Sequence, residues 1–157
     1  MHAFEIWSKL SKELNHEILE VACLNEKRLY RHAVQDLSEA LRRRPQMILE
    51  LPRTARHELF QPLLGLPQYD VLGHNLIINW LRVEGESMLV TFLDEVGVGH
   101  DGHGCADEFP ESMDAAKVEK ACKALYEKFP AEKVSLYLQV FPNITGVDWG
   151  VEKFIKV

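Results

Sequence analysis

At 157 residues the chain is long enough to bury a single core covering roughly two thirds of its unfolded surface, and it needs no disulfide or metal staple to do so. Hydrophobic residues make up 46% and charged residues 27%, a globular mixture that argues against global disorder. The formal net charge of -6 counts against nucleic acid as a partner, and Cys23, Cys105 and Cys122, with no CxxC spacing, indicate neither a disulfide framework nor a zinc ribbon.

In the N-terminal stretch, Phe4, Trp7, Leu10, Leu14, Ile18 and Val21 recur at steps of three and four, which predicts one amphipathic helix. Glu5, Lys9, Lys12 and Glu13 interrupt any signal-peptide core within it, and no later stretch has the roughly 18 apolar residues of a membrane span. The expected location is the cytoplasm, with no membrane association. Asn25 suits the N-cap of a second helix that buries Leu29 or Tyr30, Ala33, Val34, Leu37 and Leu41 and stops at Arg44, before Pro45. Pro45, Pro52, Pro62 and Pro67 then predict short helices: a turn or two after Pro45, and a helix from Thr54 to Leu64, bent near Pro62 and closed by Gly65.

A longer helix is expected from Gln68, burying Tyr69, Leu72, Leu76, Trp80 and Val83, with Gly73 as a weak position inside it. The segment SMLVTFLDEV contains strand-favouring residues, yet Ser87 in N-cap position and Gly97 in C-terminal position make it a helix. After a Gly- and acid-rich loop over residues 97–111, Ser112 or Asp114 starts the next helix. Pro130 opens a last one that Pro142 ends. The tail, residues 143–157, is too apolar to float and is expected to pack back on the helices in extended or irregular form. The fold class is all-α: one helical domain over 1–157, with about seven helices in an irregular bundle or compact helical-hairpin array.

Two regions carry candidate chemistry. Gly97, Gly99 and Gly102 match GxGxxG, but no strand precedes them, no helix follows at once, and Asp94, Glu95, Asp101, Asp107 and Glu108 would repel phosphate. In the same loop His100, Asp101, His103, Cys105 and Asp107 are ligand types suited to a divalent transition metal, with a remote His57 or His74 needed to hold them in place. A calcium loop does not fit, and Cys105 with His103 lacks the orienting group and oxyanion site of a nucleophile. His16, His32 and His57 share no spacing that groups them and read as helix-surface or half-buried residues.

The second region is basic. Residues 27–56 hold eight Lys/Arg against three Asp/Glu, whereas residues 83–116 hold nine Asp/Glu and no Lys or Arg. Arg42, Arg43, Arg44, Arg53 and Arg56 are therefore candidates for docking an acidic partner, including another copy of the chain, or less readily a nucleic acid. The reading that follows is a non-enzymatic interaction or accessory protein with no required cofactor. Metal binding through residues 100–107 and nucleic-acid binding through Arg42–Arg56 are the alternatives.

Overall fold

The computed structural model describes residues 1–156, and among these the chain is wholly helical. Nine α-helices occur among the described residues: α1 (Ala3–Trp7), α2 (Lys12–Asn25), α3 (Lys27–Leu41), α4 (Pro45–Leu49), α5 (Arg53–Leu64), α6 (Asp70–Val83), α7 (Glu86–Val96), α8 (Ala115–Lys128) and α9 (Ala131–Thr145). Two 3₁₀ turns, Pro67–Tyr69 and Val151–Phe154, complete the elements. None of the helices is long and apolar enough to cross a membrane. The chain divides into two compact units, His2–Val83 and the chain from Glu84 onward together with Met1.

In the first unit, α2 packs against α3, α5 and α6, and α1 packs on α5 and α6. Its core holds Trp7, Ile18, Leu19, Leu37, Ile48, Phe60, Leu64, Leu76 and Trp80. The single N-terminal helix expected from periodicity is instead two. Ser11 interrupts it, because its hydroxyl accepts the Leu14 amide at 3.1 Å and so starts α2 afresh. The detached α1 is tied to α6 by Asp70, whose carboxylate accepts the Phe4 amide at 3.1 Å. Trp7 donates its indole N–H to Gly73 O at 3.0 Å.

Asn25 does not cap α3. It is the last residue of α2 and donates to Val21 O at 3.0 Å, leaving only Glu26 between the two helices. The second helix stops three residues before Arg44, because Arg42 takes a left-handed conformation (φ 52°) and the Arg43 amide bonds Ser38 O at 2.9 Å. The helix expected from Gln68 starts as the 3₁₀ turn Pro67–Tyr69 and becomes α6 at Asp70.

In the second unit, α7 packs against α8, and the Val151–Phe154 turn packs on α8 and α9. Phe92, Phe141 and Trp149 form its aromatic centre, with the Phe141 ring centroid 5.2 Å from each of the other two. The stretch after Gly85 is helical as expected and ends at a left-handed Gly97 (φ 76°), but Gly85 rather than Ser87 stands at its N-cap, its carbonyl accepting the Met88 and Leu89 amides. Asp114 caps α8 by accepting the Ala116 amide at 2.8 Å. Pro142 does not end α9. The helix runs through it to Thr145 and closes at Gly146 (φ 73°), held by the buried Leu138, Val140 and Phe141 despite the amide that proline lacks. The tail packs back as expected, though as a 3₁₀ turn, with Tyr126 donating to Phe154 O at 2.9 Å and Ser135 to Lys156 O at 2.7 Å.

Gly73 is a packing requirement rather than a weak position. A Cβ there would lie 2.7 Å from Trp7 Nε1 and 2.8 Å from its Cδ1. Gly73→Ala is therefore expected to destabilise the protein by about 1–3 kcal/mol despite the better helix propensity of alanine. Urea denaturation checks this, and an unchanged midpoint would show that Trp7 is free to move aside.

Candidate metal centre

On α2, His16 and Glu20 stand four residues apart and so share one face. Helix α5, packed against α2, brings His57 to that face. His57 Nδ1 lies 2.9 Å from His16 Nδ1 and 3.8 Å from Glu20 Oε2, and one ligand atom from each of the three residues lies within 4.8 Å of the others. This is the only such group of His, Cys, Asp and Glu among the described residues.

Glu20 and His57 are held from behind. Glu20 is anchored through Oε1 by Arg53, while its Oε2 is buried and accepts no hydrogen bond. His57 is 1% exposed, and its Nε2 lies 2.8 Å from the Tyr30 hydroxyl. That hydroxyl accepts Arg56 Nη1 at 3.1 Å and lies beside the Cys23 thiol; burial raises its pKa, so it stays protonated. Arg56 is itself buried, and donates to Ile48 O at 3.2 Å, Leu49 O at 2.7 Å and Leu51 O at 3.0 Å. When Tyr30 accepts from both Arg56 and His57 Nε2–H, the lone pair of His57 Nδ1 points at His16 and Glu20.

Two imidazole nitrogens 2.9 Å apart must share either a proton or a cation. Ligand nitrogens about 2.1 Å from one ion and at right angles about it lie about 3 Å apart, so the pair is already at coordination spacing. Glu20 Oε2 needs to close by about 1 Å, within reach of a side-chain rotation. A groove of about 300 Å³ between α2 and α5 is walled by His16 and His57 and opens past Lys12, Glu13, Thr54 and Glu58. Three protein ligands leave coordination positions for water or a bound molecule on that side.

The loop ligands expected from sequence are not brought together. His100 uses both ring nitrogens, Nε2 at 2.7 Å from Asp94 and Nδ1 accepting the Gly102 amide at 3.0 Å. Asp101 caps its own turn, accepting the His103 amide at 2.7 Å and the Cys105 amide at 3.2 Å, and these bonds hold its carboxyl below the usual range. His103 turns to Glu86 at 3.0 Å, which raises its pKa, and Cys105 and Asp107 are exposed. His57, which the sequence offered as a support for this loop, is engaged by His16 and Tyr30.

The basic region is also divided. Arg42, Arg43 and Arg44 are exposed at the end of α3, whereas Arg53 binds Glu20 and Arg56 is buried. The residues sequence reasoning missed are His16, Glu20 and His57. The available signal was a His/Glu pair at helical spacing on the first predicted helix, which becomes specific only when α5 adds His57. Comparison with family models, with curated proteins and with solved structures gives no match.

Burial, with help from His16, Arg56 and Arg53, pushes the His57 imidazole down to about 4 from its ordinary 6.5. Between those values the unfolded chain takes up a proton that the folded chain refuses. The stability His57 contributes is thus present above about pH 6.5 and lost as pH falls toward about 4, about 3 kcal/mol in all. Metal-free protein should lose most of this amount between pH 7 and 4.5, and His57→Gln should flatten the loss. Equal losses in urea denaturation of the two proteins would contradict the assignment.

Proposed function

We propose that the chain is a metal-binding protein in which His16, Glu20 and His57 hold a divalent transition-metal ion. The observation that carries this is the meeting of two imidazole Nδ1 atoms at 2.9 Å beside a buried carboxylate oxygen that accepts no hydrogen bond. Two nitrogens and one carboxylate suit zinc, iron, nickel or copper, whereas calcium and magnesium prefer all-oxygen shells. Three ligands with a groove beside them are the arrangement of a reactive centre, in which the ion polarises a bound oxygen or lowers the pKa of a bound water. Tyr30, behind His57, fixes the ring and its tautomer, and Arg56 fixes Tyr30.

A second reading, the helical interaction protein expected from sequence, draws on one surface. Leu41, Met47 and Leu49 are exposed around exposed Arg43 and Arg44. Among the described residues no buried side-chain atom without a hydrogen bond belongs to Leu41, Arg43, Arg44, Met47 or Leu49, so the metal centre ranks first.

Purified protein is expected to bind zinc at one ion per chain. His16→Ala or Glu20→Ala should weaken binding by about hundredfold or more, and Tyr30→Phe by about tenfold to hundredfold. The double variant His100→Gln/His103→Gln should bind as the parent does. Calorimetric titration with zinc checks all four, and binding that survives loss of His16 but not of the loop histidines would place the site in the loop.

A further inference from the structure

The groove beside the metal centre has a charge and hydrogen-bonding pattern of its own. We infer that it binds a small molecule carrying an oxygen donor and a protonated amine on one short skeleton, the chemistry of an amino acid or short peptide. This rests on the metal reading above and names the ligand class of that site.

The first observation is Asn15. It lines the groove, is 2% exposed, and its side-chain Nδ2 makes no hydrogen bond. A buried amide donor left unpaired costs about 1–3 kcal/mol, and an acceptor oxygen arriving from the groove recovers that loss. A carbonyl or carboxylate is such an acceptor, and the open side of a metal ion attracts the same oxygen chemistry.

The second observation is the rim. Glu13 comes from α2 and Glu58 from α5, and both border the groove, with no ion pair shown for either among the described residues. Lys12 offsets one of these carboxylates, so the rim keeps a net negative charge while a bound metal ion makes the inner wall positive. A simple anion matches the wall but not the rim, and a simple amine matches the rim but not the wall. A molecule with both groups matches each end. The volume of about 300 Å³ is at the small end for ligand sites and suits a skeleton of that size.

The test uses the full chain loaded with cobalt(II), whose visible absorption changes when a ligand enters the metal shell, titrated with L-leucine and with 4-methylpentanoate, its amine-free counterpart. Leucine is expected to shift the band at roughly tenfold lower concentration, and Glu13→Gln/Glu58→Gln, still holding cobalt, to bring the two midpoints together. Equal midpoints in the parent protein, no shift with leucine, or cobalt drawn into solution by leucine would overturn the inference and leave the metal centre standing. Failure of the protein to take up cobalt at all would overturn the metal reading, and this inference with it.

Discussion

The buried guanidinium of Arg56 is the point on which the site depends. A charge removed from water is costly unless it is well hydrogen-bonded, and Arg56 places four of its five N–H donors on three backbone carbonyls and the Tyr30 hydroxyl. Those carbonyls belong to Ile48, Leu49 and Leu51, at the end of α4 and just beyond it. The same side chain thus holds the α4 to α5 connection in shape and fixes the Tyr30 oxygen. Tyr30 then fixes His57, and His57 meets His16. The order runs from backbone to Arg56 to Tyr30 to His57, and these three side chains have few alternatives because they are buried.

Electrostatics and packing act in the same direction. Arg53 holds one oxygen of Glu20 and turns the other inward, where it accepts no hydrogen bond, while burial first, then His16, Arg56 and Arg53, make protonation of His57 unfavourable. Residues that look in sequence like a basic surface thus do internal work: they keep an imidazole neutral and a carboxylate aimed. Of the basic cluster Arg56 alone is buried; Arg53 is exposed but paired with Glu20, and Arg42 to Arg44 stand exposed at the left-handed end of α3.

Much of the fold was legible because apolar spacing survives whatever the helices pack against. The faces through Ile18, Leu37, Leu76, Phe92, Leu125 and Phe141 are the ones buried. Boundaries were less legible where two local preferences compete. Ser11 is a modest cap inside a strong apolar pattern, and only the packing of the short α1 on α5 and α6 decides for a break. Pro142 is a strong stop signal, overridden by aromatic burial around Phe141. The metal ligands were hidden for a different reason. His16 and His57 are 41 residues apart in the chain and meet only because α2 and α5 pack together. The 97–111 loop has the opposite character, dense in ligand types whose donors and acceptors are taken up by its own backbone and by Asp94 and Glu86. Density of ligand types along a chain is weaker evidence for a site than lone pairs left unused once the chain is folded.

The most direct test of the account is where a metal ion sits. Crystals of the full chain grown with zinc, measured at the zinc absorption edge, should show their strongest anomalous peak within about 2.3 Å of the His16 and His57 nitrogens and of a Glu20 oxygen. A peak among residues 100–107, or no peak while the two imidazoles remain in direct contact, would contradict it.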